Sequence, residues 1–189
     1  MSSHHVVREK QEPALVVLGL EGFPGESLGQ LLEWSPAIIT TQQLAPVLDA
    51  NGIKIDGIIT KGNYKMPQRD IRSIPAGKDT AAEAALKYLV TNGYRAVNII
   101  TAGLQLKDYL FFADKIDLVI YCRDQRIFAI NSGFSKWKTG GEIIEVLTHP
   151  HELHTSGLEA LGHHRFMTIQ DGFFSLKFDK PFLFIAEQL

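Results

Sequence analysis

The sequence predicts an α/β domain built on a parallel sheet, followed by a small antiparallel β-sandwich domain. From Ala14 to about Cys122, short runs rich in Val and Ile alternate with helical patterns, which is typical of βαβ units. After Cys122, short strands follow one another with turns such as "DG" and "DKP" between them, as in a sandwich. A chain of 189 residues that is 45% hydrophobic is long enough to form two small cores.

The first half contains five predicted strands: "ALVVLGL", "AIITT", "IDGIIT", "AVNIIT" and "DLVIYC". They are apolar on both faces, which favours a parallel sheet covered by helices on both sides. Capping boxes predict two of the helices between them. Ser27 with Gln30 precedes "LLEW", and Thr80 with Glu83 opens "TAAEAALKYLVTNG", where Gly93 occupies the position of a left-handed C-terminal cap.

The second half contains the predicted strands "RIFAIN", "EIIEVLT", "RFMTIQ", "FFSLKF" and "FLFIA". Only "SGLEALG" has a pattern that admits a short helix. We therefore expect a flexible tail over residues 1–13, an α/β domain over 14–118 and a β-sandwich domain over 119–189, with the boundary near residues 116–123.

Composition excludes several classes of function. The formal net charge of -2 provides no field that would attract nucleic acid or anionic lipid. No apolar run is long enough to span a bilayer, and the first residues lack the apolar segment of a signal peptide. The single cysteine, Cys122, follows the apolar run "LVIY", so we expect a buried thiol in a reducing, cytoplasmic location.

Four loops follow the predicted parallel strands at their carboxyl ends: "EGFPGES", "QQ", "KGNYK" and "AGLQLKD". The carboxyl ends of parallel strands meet at one edge of the sheet, where open α/β sheets bind ligands. Glycine-rich loops that lead into helices are natural anion sites. The chain contains neither a P-loop nor a dinucleotide fingerprint, which argues against an ordinary ATPase or NAD site.

The order "GFP…AIITTQQLAPVLDANGIKIDGIITKGNYK…KDTAAEAALKYLVTNGYRAVNIITAG" resembles the N-terminal domain of thiamine pyrophosphokinase over about residues 19–108. The all-β tail fits the second domain of that family. The resemblance implies a Rossmann-like domain followed by a β-sandwich, a homodimer, and pyrophosphate transfer from ATP to thiamine that gives thiamine diphosphate and AMP. It also implies that magnesium and ATP would be used.

The acidic motifs of that family are largely replaced. The Asp of its Asp-Gly pair falls on Gln42, and the two acids of its Gly-Asp-x-Asp-Ser motif fall on Lys61 and Asn63. The two acids of its Asp-x-Thr-Asp motif fall on Lys78 and Ala81. Thr80 and Asp108 are retained, and the resemblance places Ser175 in the thiamine pocket. Because carboxylates hold the magnesium in phosphoryl transfer, these replacements predict lost or altered activity, and no residue is assigned as catalytic.

Three hypotheses follow. The first is a thiamine pyrophosphokinase-like protein with lost or altered activity. The second is a non-catalytic relative that binds thiamine, a nucleotide or another small anion through Lys61, Thr80 and Ser175, since lysine binds phosphate. The third is a metal-binding protein, because five of the 7 histidines lie within residues 149–164. His149, His151 and His154 are the candidate ligands, although loop histidines on a surface are the commoner case.

Overall fold

The computed structural model describes residues 10, 12–35, 37–62, 64–65 and 70–189. It divides the chain into two units, Met1–Arg123 and Asp124–Leu189, which we name the α/β unit and the β unit. The division falls after Arg123 rather than after residue 118, because the strand Asp117–Cys122 pairs in parallel along its whole length with Ala96–Thr101.

Strands and helices alternate in the described part of the α/β unit. The strands are β1 (Ala14–Val17), β2 (Ile38–Thr41), β3 (Gly57–Thr60), β4 (Arg72–Pro75), β5 (Ala96–Thr101) and β6 (Asp117–Cys122). The helices are α1 (Gly25–Trp34), α2 (Ala45–Ala50), α3 (Ala81–Thr91) and α4 (Lys107–Leu110). All five strands predicted for this half form, and most of their apolar residues are buried, including every residue of β1. Within the described residues, no helix is long and apolar enough to cross a membrane.

The strands of this unit form a parallel sheet in the order β6-β5-β1-β2-β3-β4. The chain moves outward from β1 to β4 and returns to β5 on the other side of β1, so the order reverses between β1 and β5. At this reversal Gly19, after β1, approaches Ala102, after β5. A Cβ added to Gly19 would lie 2.8 Å from the Ala102 nitrogen, so only glycine allows the two loops to pack this closely.

Helix α3 forms as its sequence predicts. Thr80 is its N-cap, and both hydrogen bonds of the capping box are present. Gly93 has a φ of 75°, and the Gly93 and Tyr94 amides donate to the carbonyls of Val90 and Leu89. This is the hydrogen-bond pattern of a Schellman motif, which satisfies the last carbonyls of the helix.

Two local predictions in this unit differ from the structure. The capping box predicted at Ser27 is wrong: α1 begins earlier, after Pro24, and no side chain caps it. Strand β4 had no clear sequence signal, because it is an edge strand in which only Ile74 is buried. Edge strands carry polar residues and proline without loss of pairing.

The β unit consists of strands joined by turns. They are β7 (Gln125–Ile130), β8 (Phe134–Lys138), β9 (Ile143–Val146), β10 (Leu153–Ser156), β11 (Leu158–Ala160), β12 (Arg165–Thr168), β13 (Gly172–Phe178) and β14 (Leu183–Gln188). One sheet has the order β11-β12-β9-β14-β7 and the other has the order β10-β13-β8. Within each of these two sheets, neighbouring strands pair antiparallel, which confirms the predicted β-sandwich.

Side chains from both sheets form the core of the β unit, among them Ile144, Phe174, Leu176 and Ile185. The short helix considered for "SGLEALG" is wrong, because Leu158–Ala160 forms β11 and pairs with β12. Gly157 precedes it with a φ of +72°, a backbone conformation that interrupts a helix.

Candidate functional site

The carboxyl ends of three neighbouring strands bring most of the predicted site residues to one edge of the α/β unit. Gln42 follows β2, Lys61 follows β3, and residues 76–80 connect β4 to α3. Asp108 follows β5, which lies on the far side of β1. We name the region around Gln42, Lys61, Lys78 and Thr80 the carboxyl-edge site.

Gln42 joins the first two of these loops. Its side-chain Oε1 accepts a hydrogen bond from the Lys61 backbone N–H at 3.2 Å. The backbone N–H of Gln42 donates to the Ile59 carbonyl. The Gln42 amide therefore fixes the start of the "KGNYK" loop, while the Lys61 side chain is exposed. Gly62 turns the loop with a φ of +77°. Asn63, which was predicted to belong to the site, lies outside the described residues.

Thr60, the last residue of β3, anchors the start of the "KGNYK" loop. It is 4% exposed, and its hydroxyl lies 3.0 Å from the Ser73 hydroxyl on the neighbouring strand. The Thr60 carbonyl accepts the Ala76 N–H. Two hydrogen bonds thus join the last residue of β3 to β4 and to the residue that follows it, which keeps the two loops that follow β3 and β4 beside each other.

The segment before α3 carries Lys78, Thr80 and Ala81. The Thr80 hydroxyl accepts the Glu83 N–H at 3.2 Å, and the Glu83 carboxylate accepts the Thr80 N–H at 2.9 Å. The interpretation of Thr80 as a helix N-cap is therefore confirmed. Ala81 is the first helical residue, and Lys78 is exposed in the preceding turn.

The acids near this segment already have partners. Glu83 belongs to the capping box, and Asp79 pairs with Lys87 at 2.6 Å. Gln42, Lys61, Lys78 and Ala81 have no carboxylate. Throughout the described ranges, no group of three or more His, Cys, Asp or Glu side chains is arranged to hold a metal ion.

Asp108 lies in α4 and is 9% exposed. Its neighbour Tyr109 is 2% exposed. Burial raises the pKa of the Tyr109 phenol well above its usual value, and the charges of Asp108 and Cys122 add to the effect, while a hydrogen bond with Thr101 opposes it. Tyr109 is therefore a neutral phenol that anchors α4 beside the end of β5.

The β unit holds the remaining predicted residues. Ser175 is half-buried on β13, in register with Ser135 on one side and Ser156 on the other. These serines form a hydroxyl row across the outer face of the smaller sheet, because alternate residues of β13, Phe174 and Leu176, point into the core.

The structure groups the histidines differently from the predicted trio of His149, His151 and His154. His149 and His164 have ring centroids 4.1 Å apart, because His149 follows β9 and His164 precedes its partner strand β12. His154 lies on β10 in the other sheet, opposite Lys177. The His151 backbone N–H donates to the Asp179 carboxylate.

Sequence reasoning missed Arg72 and Tyr88, which hydrogen-bond to each other at 2.8 Å. Arg72 begins β4 and Tyr88 lies near the end of α3, so both are at the amino edge of the sheet. The sequence of β4 has no strand pattern, because only Ile74 of its four residues is buried, and without β4 nothing in the sequence indicates this second edge.

Solved structures share the fold of this chain, although no protein-family model and no curated protein matches its sequence. A probable thiamine pyrophosphokinase from Staphylococcus saprophyticus has a TM-score of 0.65 at 15% identity, covering 93% of this chain and 98% of that chain. Thiamine pyrophosphokinase from Bacillus subtilis has a TM-score of 0.66 at 15% identity, with the same coverage. Thiamin pyrophosphokinase from Candida albicans has a TM-score of 0.65 at 12% identity, covering 94% of this chain and 90% of that one.

These likenesses extend over almost the whole chain, beyond the residues 19–108 that carried the resemblance in the sequence. At sequence identities of 12% to 15%, these structural likenesses show a shared fold and not a shared activity. The chain therefore has the fold of the thiamine pyrophosphokinases.

Proposed function

We propose that this protein is a thiamine pyrophosphokinase-like protein that binds a phosphate-bearing small molecule at the carboxyl-edge site and no longer transfers pyrophosphate with magnesium. The observation that carries the proposal is the charge of this edge. Lys61 and Lys78 stand exposed where the family has acids, and the nearby carboxylates of Asp79 and Glu83 are engaged by Lys87 and by the α3 cap.

Magnesium binds to oxygen ligands, chiefly carboxylates, and to the phosphates of its substrate. Two lysines repel a divalent cation and attract phosphate. Loss of one electrostatic stabiliser in a catalytic site costs about a hundredfold or more in rate. The loss of several leaves little activity, although the separate losses do not add.

The retained fold supports a phosphate-bearing ligand of the same general kind: thiamine diphosphate or a nucleotide. The Gln42 contact keeps the Lys61 loop in place without a metal. Thr80 contributes by holding the start of α3 rather than by contacting the ligand, since its hydroxyl is occupied by the Glu83 N–H. Ser175 belongs to the β unit, and we also propose that it is a ligand-binding residue.

A homodimer and a cytoplasmic location are also part of this proposal. The strand "FLFIA" cannot supply the dimer surface, since Leu183, Phe184 and Ile185 are fully buried in the β unit. The outer face of the smaller sheet remains, where Phe173 and Trp137 are direct cross-strand partners and are 72% and 51% exposed. Such an exposed aromatic pair is typical of a protein interface.

Calorimetric titration of the purified protein with ATP, ADP and thiamine diphosphate tests the binding. We expect at least one of them to bind in the presence of EDTA, and Lys61→Ala to weaken that binding by about tenfold, the usual effect of losing a charge-assisted hydrogen bond. Lys54→Ala is the matched control, because Lys54 is exposed at the opposite edge beside Asp56.

An assay of AMP formation from thiamine and magnesium-ATP tests the loss of transfer. We expect no AMP above background. Robust, magnesium-dependent AMP formation would instead establish the family reaction and overturn the proposal. Binding of ATP, ADP or thiamine diphosphate only in the presence of magnesium would also contradict the proposal.

A further inference from the structure

A cavity lies at the amino edge of the α/β unit, at the end of the sheet opposite to the carboxyl-edge site. It has a volume of about 310 Å³, which is at the lower end of the range for small-molecule sites. It opens where β2, β3 and β4 begin. Four-residue strands separate the two edges by roughly 13 Å, so one small ligand does not occupy both.

Small residues form part of the cavity floor. Ile39, Gly57 and Arg72 are aligned in register across β2, β3 and β4, so their side chains share one face of the sheet. Gly57 has no side chain, and Ile39 and Ile74 close over it: a Cβ there would lie 3.3 Å from Ile39 Cγ1 and 3.0 Å from Ile74 Cδ1. Ala37, two residues before Ile39, points to the same face with only a methyl group. Together they give the cavity an apolar floor.

Two tyrosines line the same cavity. Tyr88 comes from the last turns of α3, which packs against β3 and β4, and Tyr94 follows the Schellman motif. The Tyr88 hydroxyl accepts a hydrogen bond from Arg72 Nη1 at 2.8 Å, which fixes both side chains at the cavity. Both rings are half-buried and offer aromatic surface to a ligand.

Charges of both signs line the rest of this cavity. Arg72 and Lys10 supply the cations; the Lys10 ammonium donates to the Asn92 carbonyl at 2.8 Å and lies 5.7 Å from the Tyr94 ring centroid. Asp56 and Asp70 supply carboxylates. Asp56 accepts the Ile38 N–H and pairs with Lys54 at 3.1 Å, which leaves Asp70, exposed at the rim, as the acid that faces a ligand.

We propose that this amino-edge cavity binds a zwitterionic α-amino acid with an apolar or aromatic side chain. Its carboxylate pairs with Arg72 and Lys10, its ammonium group pairs with Asp70, and its side chain packs against Tyr88 and the Ala37–Gly57 floor. Arginine recognises a carboxylate through parallel N–H donors. A ligand with one charge alone meets a repelling group in the lining, so the mixed lining selects for a molecule that carries both.

Titration calorimetry with L-phenylalanine and L-leucine at millimolar concentration tests this site. The shape-matched analogues 3-phenylpropionate and phenethylamine each lack one of the two charges. We expect L-phenylalanine to bind at least about tenfold more tightly than either analogue, since each loses a charge-assisted hydrogen bond. Absence of binding by both amino acids, or equal binding of a one-charge analogue, would overturn the proposal.

Variants assign the binding to this cavity. Arg72→Gln is expected to weaken L-phenylalanine binding about tenfold and to abolish the preference over phenethylamine, while Asp70→Asn abolishes the preference over 3-phenylpropionate. Ala37→Leu fills the floor and blocks binding; circular dichroism and thermal melting check that each variant folds. Lys61→Ala, at the opposite edge, should leave amino-acid binding unchanged. Loss of binding in Lys61→Ala, or retention in both Arg72→Gln and Ala37→Leu, contradicts the assignment, and neither result depends on the fate of the phosphate site.

Discussion

Lys136 joins the two sheets of the β unit through Glu187. Its ammonium group lies 2.7 Å and 2.6 Å from the two carboxylate oxygens of Glu187, and the Glu187 side chain is only 4% exposed. Lys136 is on β8 in the smaller sheet and Glu187 is on β14 in the larger one. Lys138 adds a second cation at 3.3 Å from the same carboxylate, so the charge of Glu187 is compensated twice.

Glu187→Ala is expected to lower the free energy of unfolding by about 3–5 kcal/mol, because it leaves two partly buried lysines without their shared carboxylate. Lys136→Met should cost much less, since Lys138 still compensates Glu187. Urea denaturation of the two variants measures both effects. Lys177→Met, on the exposed outer face of β13, serves as the control and should change little. An equal cost for Glu187→Ala and Lys177→Met would show that the inter-sheet pair contributes nothing.

Thr80→Ala should lower the free energy of unfolding by about 1 kcal/mol through loss of the α3 cap. Thr80→Ser keeps a hydroxyl for the Glu83 N–H and is expected to retain most of the stability. If Thr80 only caps the helix, both variants will bind a phosphate-bearing ligand as tightly as the unchanged protein. A large loss of binding in Thr80→Ser, without loss of stability, would instead assign Thr80 to the ligand.

Interactions between residues that are close in the sequence could be predicted from it, and interactions between distant residues could not. The cap at Thr80 was predictable because its partner, Glu83, is three residues away. The gathering of Gln42, Lys61 and Lys78 at one edge was also predictable, since parallel strands carry their following loops to the same side. The Gln42–Lys61 hydrogen bond was not, because it depends on the register of β2 against β3.

The histidine pair, the exposed aromatic pair and the amino-edge cavity all depend on pairing between strands that are distant in the sequence. His149 and His164 meet only because β9 and β12 are antiparallel neighbours, whereas spacing along the chain grouped His149 with His151 and His154. Phe173 is exposed and Phe174 is buried, although they are adjacent in sequence. They differ because one face of β13 packs on the core of the β unit and the other face is exposed. The amino-edge cavity requires Gly57 to lie between Ile39 and Arg72, which the sequence leaves open.

The protein is expected to form a twofold dimer through Phe173 and Trp137 at micromolar concentration, because an exposed cross-strand aromatic pair loses contact with water on association. Light scattering measures the mass. The double variant Phe173→Ser with Trp137→Ser should be monomeric, whereas Trp34→Ser, which alters a 63% exposed tryptophan of the α/β unit, should remain dimeric. A monomeric unchanged protein would refute the dimer, and a dimeric double variant would refute this surface.

The pKa of His164 is expected to lie below its ordinary value of 6.5, because desolvation disfavours the charged ring and the charges of His149 and His163 add to this. The unfolded chain then binds a proton more readily than the folded chain. Stability contributed by neutral His164 is therefore present above pH 6.5 and declines as the pH falls through the lower folded value. NMR titration of the ring proton measures the pKa, and His149→Gln should raise it towards 6.5. A pKa of His164 that is unmoved by His149→Gln would show that the two rings do not interact.

Alkaline stability should depend on Tyr109. Burial raises the pKa of its phenol above the ordinary value of 10.0, so the phenol ionises more readily in the unfolded chain. Its contribution to stability is complete below pH 10 and is lost as the pH rises above that value. Tyr109→Phe, which keeps the packing of the ring and has no ionisable group, should show a shallower fall of the unfolding midpoint in urea between neutral and strongly alkaline pH. Parallel pH profiles for Tyr109→Phe and the unchanged protein would show that Tyr109 ionises equally in both states, against the buried environment that anchors α4.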